Sequence, residues 1–303
     1  MIFLAAAIVV AHLAALAFYP ALRLRGLVRM LAWVVCTAIV ALSPCLVPLG
    51  STGLRQIAVM VAIAILVKLY DSFRSADLAR QRGFLFYATW LPNPCWLVLR
   101  LVPPPQPRDQ DWRRVPLGLA CFGLGVALFY IVQSYDWSGT PFVLEHCAKV
   151  IALYVLVVSF GNVGTVALRL LGCTALDPMT SPATAPTPAD FWRRWNRPAQ
   201  QYFAEYAFRP AGGLHHPVRA TLLTFAASAL AHEYVFGIAI GRVQGWQMLF
   251  FLTQGIAVAA TLHLRPTGWP RRAMFALTLL FNLATSFLFF QSVNQVIPFY
   301  SPR

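Results

Sequence analysis

Two neighbouring polar side chains lie in the middle of an apolar stretch, and their types suit proton transfer. His232 and Glu233 occur in the string SALAHEYVF, about fifteen residues into a helix predicted over 217–240. A charged side chain at the centre of a membrane helix costs about 2.5–3.5 kcal/mol on insertion scales, so an ionisable residue there indicates function. A neutral, desolvated imidazole can take a proton from an alcohol at neutral pH. His232 is therefore the first candidate for a general base.

A structural role for the same pair stays open. Polar side chains in membranes also hold helices together by hydrogen bonding. The small residues between Ala226 and Ala231 leave space beside the imidazole for another helix or for a lipid-like chain. A zinc site of the HExxH type is excluded, because position 236 is Phe236 and no other histidine has the matching spacing. The six cysteines show no metal-like spacing either.

A second element with polar chemistry precedes this helix. Thr187, Pro188 and Asp190 form a helix start signal, so we predict one helix over 188–209. At 100° per residue its aromatic side chains fall on one arc and its arginines and glutamines on the other, which is typical of a helix lying along a membrane surface. Asn196 lies at the edge of the aromatic face. On this pattern Asn196 is either a boundary residue of an anchor helix or part of a site.

The composition places both elements in a bilayer. Of the 303 residues, 59% are hydrophobic and 11% are charged, whereas soluble domains carry about 25% charged residues. Apolar runs long enough to cross a hydrocarbon core of about 30 Å recur along the chain. We predict eight spans, at 1–19, 28–49, 55–70, 116–135, 142–171, 217–240, 246–264 and 273–297. A further apolar stretch, 84–101, is broken by Pro92-Asn93-Pro94, so we expect it to lie at the interface or to re-enter.

The net charge of +14 does not indicate a nucleic-acid partner, because the basic residues fall in the short loops between the spans. With the N-terminus outside, 20 of the 24 lysines and arginines, including Lys68, fall on the inner side, and Arg55, Lys149, Arg242 and Arg303 fall outside. This distribution satisfies the positive-inside rule. Abundant arginine, alanine and proline with few lysines favour a GC-rich genome, and hence a bacterial inner membrane.

Two strings resemble those of a known family. FWRRWNRP at 191–198 resembles the FW-x-x-WN-x-P element of the membrane-bound O-acyltransferases, and SALAHEY at 228–234 resembles their S-A-x-x-HEY element. The two occur in the family's order, with Asn196 and His232 about 36 residues apart. No string like FYxDWWN precedes Phe191, which favours the wax-synthase-like branch over enzymes that make triglycerides or sterol esters.

The resemblance implies an all-α, polytopic fold of the membrane-bound O-acyltransferase type and a fatty acyl transfer from an acyl thioester, acyl-CoA, to a long-chain alcohol or other lipid alcohol. His232 matches the catalytic histidine of the family, and Asn196 matches its polar partner. Supporting roles fall to Glu233, Tyr234, Trp195 and Ser228. Contacts to acyl-CoA are assigned to Trp192, Arg193, Arg194 and Arg197, although arginines on the inner side need no ligand to explain them.

The same resemblance implies one membrane-embedded domain over 1–303, with the motif-bearing core at about 180–297. It implies no metal and no cofactor beyond acyl-CoA as co-substrate, and it names the bilayer, acyl-CoA and the alcohol as partners. The rival interpretation is a transporter or channel that uses His232 and Glu233 as a relay. A relay predicts further ionisable residues across several spans, whereas Glu233 is the one carboxylate well inside a predicted span.

Overall fold

The structure, a computed structural model, describes residues 1–302 and consists of helices joined by turns. Arg303, which the sequence analysis assigns to the outer side, lies outside the described residues. No strand occurs within 1–302, so the all-α prediction is confirmed. The helices are α1 (Ile2–Ala21), α2 (Gly26–Leu42), α3 (Thr52–Arg74), α4 (Ala76–Arg82), α5 (Phe84–Trp90), α6 (Arg108–Ser134), α7 (Phe142–Leu170), α8 (Pro188–Arg194), α9 (Arg197–Phe203), α10 (Pro217–Ile240), α11 (Trp246–Thr261) and α12 (Gly268–Val296).

Seven of these helices in the described chain are long and apolar enough to cross a membrane, namely α1, α2 with its continuation to Leu46, α3, α6, α7, α10 and α12. The chain is therefore a multi-pass membrane protein. The remaining predicted span, 246–264, is present as α11, but it has only 16 residues. At 1.5 Å per residue such a helix measures about 24 Å, which is less than the hydrocarbon thickness of about 30 Å.

The chain divides into two compact units, of which the first comprises 1–102, 230–245 and 295–297. Its core is built around α1, where Ala7, Ala11, Ala14 and Phe18 are buried. A spacing of three or four residues places these side chains on one face of the helix. Because most of them are small, α2 and α3 pack closely against α1.

The proline-broken stretch belongs to this first unit and is not a spanning helix. Only Phe84–Trp90 is helical there, and the chain then continues in turns. Lys68 is fully buried and donates from Nζ to the carbonyl oxygens of Trp90, Leu91 and Asn93. Lys68 thus lies inside α3 and not in a loop, and its assignment to the inner side stays a prediction. The chain is not helical after Leu91, and the buried amino group of Lys68 donates to carbonyl groups of this irregular backbone, of which that of Trp90 also accepts the Asn93 amide.

The second compact unit comprises 103–229, 246–294 and the tail from Pro298. The helices α6 and α7 form an antiparallel pair that packs at glycine positions. A Cβ atom built on the buried Gly125 would lie 2.8 Å from the Cα of Leu156. Only a residue without a side chain permits this approach of the two backbones.

The second unit also contains a buried ion pair within α7. Lys149 Nζ lies 2.8 Å from Glu145 Oε1 and donates to the Phe299 carbonyl oxygen at 2.7 Å. The same Glu145 oxygen accepts a hydrogen bond from the Ser301 amide at 2.7 Å. Lys149 lies inside α7, within the predicted span 142–171, and is 2% exposed, and its assignment to the outer side stays a prediction.

We predict that Gly125→Ala destabilises the protein, because its methyl group must push α7 away from α6. Overpacking of this kind typically costs about 1–3 kcal/mol. Thermal unfolding in detergent measures the effect. Gly123→Ala is the matched control, because Gly123 lies on the same helix and its added Cβ would meet nothing within 4 Å. Equal unfolding midpoints for the two variants would contradict the packing argument.

Candidate functional site

The segment around Asn196 is a sharp turn between two short helices. Asn196 has φ +45° and ψ +58°, which is the left-handed region, and it separates α8 from α9. The prediction of one continuous helix over 188–209 is therefore wrong. In such a helix the ring of Pro198 would clash with the carbonyl group of Arg194. Asparagine is among the few residues other than glycine that enter the left-handed region readily.

Hydrogen bonds hold this turn on both sides. The Arg197 amide donates to the Pro178 carbonyl oxygen at 2.8 Å, and the Thr180 amide donates to the Arg194 carbonyl oxygen at 3.0 Å. The Asn196 side chain is exposed, and its Oδ1 lies 3.5 Å from the Ala199 amide at the start of α9. The turn therefore presents an amide side chain from a backbone that is fixed before and after it.

The two tryptophans of the motif pack against protein. Trp192 donates from Nε1 to Gln254 Oε1 at 3.0 Å, and its ring contacts Phe225 and Phe251. Trp195 stacks on Tyr154 of α7 with ring centroids 5.9 Å apart. The observed contacts of Trp192 are those of a core residue. Its assignment to acyl-CoA stays a prediction.

The three motif arginines differ in how they are engaged. Arg194 lies 2.6 Å from Asp190 and donates to Thr184 Oγ1 at 2.9 Å. Arg197 has a long contact of 3.5 Å with the Asp177 carbonyl oxygen. Arg193 has one contact of 3.6 Å with Asp190, and its side chain is 46% exposed. Arg193 is thus the most accessible of the three guanidinium groups.

His232 lies half-buried on α10, within the first compact unit, whereas Asn196 belongs to the second unit. The side chains that follow the histidine fix the helix around it. Tyr234 donates from its hydroxyl to the Ala41 carbonyl oxygen of α2 at 2.7 Å. Ser228, on the part of α10 that belongs to the second unit, is also half-buried.

Glu233 is buried and accepts hydrogen bonds from the chain segment that connects α10 to α11. Its Oε1 accepts hydrogen bonds from the backbone amides of Gln244 at 2.7 Å and Gly245 at 2.6 Å. These donors lie in a turn that has no helical acceptor for them. These two bonds give Glu233 a structural role in the turn between α10 and α11, and its supporting role beside His232 stays a prediction.

The sequence patterns predict no role for two further buried polar residues, Gln254 and His146. Gln254 lies in the apolar run of α11, is 1% exposed, and joins Trp192 to Thr285 of α12 through its Nε2 at 2.8 Å. Its one local signal is a polar residue among apolar ones. His146 of α7 lies 2.7 Å from the Tyr300 hydroxyl through Nδ1 and 2.9 Å from the Leu283 carbonyl oxygen through Nε2.

The environment of Tyr300 explains why His146 has a structural role. Burial, followed by the nearby Glu145 carboxylate, raises the pKa of the Tyr300 phenol. The protonated hydroxyl can donate to Nδ1 of the imidazole, 2.7 Å away. With both ring nitrogens engaged, His146 links α7 to α12 and to the tail.

We predict that Glu233→Ala loosens the α10–α11 connection, because two buried amides lose a charged acceptor. Hydrogen bonds to charged groups contribute about 1.5–3 kcal/mol to stability. The measurements are thermal unfolding and hydrogen exchange of the Gln244 and Gly245 amides. Glu233→Gln keeps one carbonyl acceptor and should show a smaller effect. Unchanged exchange in both variants would contradict this role.

Comparison with known proteins identifies the family. The model of the MBOAT, membrane-bound O-acyltransferase family matches residues 108–293. "Probable long-chain-alcohol O-fatty-acyltransferase 2" of Arabidopsis thaliana is 31% identical over 143 residues, which cover 42% of this chain and 42% of that protein. "Probable long-chain-alcohol O-fatty-acyltransferase 9" of the same organism is 25% identical over 219 residues, covering 64% and 61%.

The chain thus spans between 42% and 61% of the length of these curated relatives. The family match covers the described chain from α6 into α12 and includes both the Asn196 turn and His232. It extends over more than half of the 303 residues. The chain therefore belongs to the membrane-bound O-acyltransferase family.

Proposed function

We propose that this protein transfers a fatty acyl group from acyl-CoA to the hydroxyl group of a long-chain alcohol or a related lipid alcohol. The observation that carries the proposal is a half-buried histidine on a membrane-spanning helix, His232, in a chain that belongs to this acyltransferase family. Similarity to two proteins named as probable long-chain-alcohol O-fatty-acyltransferases supports the choice of acceptor.

His232 is the proposed general base. Its imidazole takes the proton of the acceptor hydroxyl while the oxygen attacks the thioester carbonyl carbon. The resulting tetrahedral oxyanion collapses, the carbon–sulfur bond breaks, and the CoA thiolate receives the proton from the imidazolium. The products are an ester and free CoA.

Asn196 is the proposed donor to the developing oxyanion. Its Oδ1 faces the Ala199 amide as a helix cap, and this contact does not use the two N–H groups of the side chain. A donor on a backbone held by two hydrogen bonds is preorganised, which is the property that makes such groups effective in transition-state stabilisation. The exposure of the side chain supports this role, since a substrate can reach it.

The acyl-CoA phosphates are proposed to meet the motif arginines. Arg193 is the best candidate, because its side chain is 46% exposed and its contact with Asp190 is long, at 3.6 Å. Arg194 and Arg197 already contact other groups of the protein. We therefore propose that their main role is to stabilise the local fold and that any contact with acyl-CoA is secondary. The positive-inside distribution supports placing this segment at the cytoplasmic face of the membrane.

The rival transporter interpretation gains no support from the buried charges in α7. Glu145 and Lys149 bond to each other and to the tail at Phe299 and Ser301. These bonds connect α7 to the tail of the chain, which is a structural role. The two residues do not form a chain of titratable residues across several helices, which a proton relay requires.

We predict that His232→Ala abolishes ester formation. Loss of a general base typically lowers the rate by about 10²–10⁴-fold. The assay uses purified protein in liposomes with labelled acyl-CoA and a long-chain alcohol. His12→Ala is the matched control, because His12 is a half-buried histidine of α1 whose Nδ1 contacts the Ile8 carbonyl oxygen of its own helix. Full turnover by folded His232→Ala protein would refute the mechanism.

We predict that Asn196→Gly lowers kcat by about 10²–10³-fold with little change in KM, as expected for loss of an oxyanion donor. Glycine tolerates both the cap position and a positive φ, so the turn should survive while the amide is lost. Circular dichroism and thermal unfolding check the fold. A variant with normal kcat would show that Asn196 only shapes the backbone.

A further inference from the structure

We propose that an ion cluster, made of the buried pair Asp111–Arg169 and the half-buried Asp177, positions the Asn196 turn for acyl transfer, and that Gly161 sets how closely the supporting loop approaches α7. The inference rests on the function proposed for Asn196. None of these four residues belongs to the sequence motifs of the family. They are positioning residues, since they act on the reaction through the turn.

The ion cluster joins two spanning helices to the loop that follows α7. Arg169 Nε lies 2.9 Å from Asp111 Oδ2, and Arg169 Nη2 lies 2.7 Å from Asp111 Oδ1, so the fork of the guanidinium binds both carboxylate oxygens. Arg169 Nη1 donates to Asp177 Oδ1 at 2.8 Å. The side chains of Arg169 and Asp111 are only 7% and 3% exposed. One planar group thereby fixes the beginning of α6, the end of α7 and Asp177 relative to one another.

The loop that contains Asp177 is hydrogen-bonded to the backbone on both sides of Asn196. Immediately after Asp177, Pro178 accepts the Arg197 amide and Thr180 donates to the Arg194 carbonyl oxygen. These two bonds flank the two residues of the turn. Asn196 has a positive φ, which persists only where the surrounding structure enforces it. The loop anchored by the ion cluster supplies that enforcement.

Gly161 determines how close the loop lies to α7. A Cβ atom at Gly161 would lie 3.1 Å from Cγ of Pro178, which is tighter than ordinary van der Waals contact. Any side chain there must move Pro178 by a few tenths of an ångström. Because the Pro178 carbonyl oxygen holds the Arg197 amide, this displacement reaches the residue that follows Asn196.

An ion pair this deeply buried is a poor choice for stability alone. Replacing such a pair by apolar residues of similar volume is often neutral or stabilising. A bidentate guanidinium–carboxylate contact adds defined geometry instead. The cluster therefore fits a requirement for precise placement of the loop and of the turn it holds.

The first experiment compares Gly161→Ala with Gly164→Ala in the liposome assay. Both glycines are half-buried on α7, but a Cβ at Gly164 would meet nothing within 4 Å. We expect Gly161→Ala to lower kcat about tenfold, with KM values within about twofold of the parent protein, as for loss of an interaction made only in the transition state. Alanine is the better helix former, so thermal stability should not fall. Exchange of the Arg197 amide should become faster in Gly161→Ala only.

A double-mutant cycle shows whether the effect passes through Asn196. Combined with Asn196→Gly, the Gly161→Ala change should lower kcat no further, because the positioned amide is already absent. An additional tenfold loss in the double variant would overturn the proposal. Equal kcat and equal Arg197 exchange in Gly161→Ala and Gly164→Ala would overturn it as well.

The second experiment tests the ion cluster. Asp177→Asn removes one charge next to Arg169, and the matched control Asp109→Asn breaks the exposed pair of Asp109 with Arg113. We expect a lower kcat and faster Arg197 exchange for Asp177→Asn only, and the same kcat for both variants in the Asn196→Gly background. Asp177→Glu keeps the charge and should restore part of the loss. Behaviour of Asp177→Asn like the control would overturn the role of the cluster.

The outcomes separate this inference from the proposed function. If Asn196→Gly is fully active, the oxyanion role of Asn196 is refuted, and the ion cluster then has no catalytic amide to position. If Asn196→Gly loses activity while the Gly161 and Asp177 variants match their controls, the catalytic proposal stands and only the positioning role fails.

Discussion

A backbone N–H or C=O group that is shielded from water needs another hydrogen-bond partner, so every buried departure from helix geometry must bring its own. This constraint acts at three places in the chain. Lys68 donates to three carbonyl groups of the proline-broken stretch. Glu233 accepts two amides of the α10–α11 connection. The loop after Asp177 bonds to the backbone on both sides of Asn196.

The three cases use side chains of different charge for one physical purpose. A buried ammonium donates hydrogen bonds to backbone carbonyl groups, and a buried carboxylate accepts hydrogen bonds from backbone amides. Each ion is satisfied by several backbone dipoles. An ionisable residue inside a membrane protein therefore has two possible uses, chemistry or local repair of the backbone. The partners decide between them. The two amide bonds of Glu233 are of the second kind, although this residue lies beside the proposed catalytic histidine.

The same reasoning gives the Asn196 turn its importance. A break inside an amphipathic helix exposes unpaired groups, and this chain tolerates it because a loop from another element supplies the missing bonds. The break also lifts one amide side chain out of the helix pattern and leaves it exposed. The ion cluster around Arg169 then connects that amide to α6 and α7. A motif of eight residues thus depends on groups far from it in the sequence.

The sequence by itself determined the helical class, the approximate position of the seven long apolar helices, the failure of 84–101 to span, and the two strings that identify the family. Each depends on composition and local spacing, which the sequence displays directly. It also contained the signal for the break at Asn196, since Pro198 cannot continue a helix, but the regular aromatic period outweighed it. Only the tertiary structure decided the partners of Lys68, Glu233 and Arg169. Those partners depend on which backbone groups the folded chain leaves unpaired and on which distant side chain can reach them, as Arg169 reaches Asp111 across 58 positions. No local pattern of apolar residues specifies either.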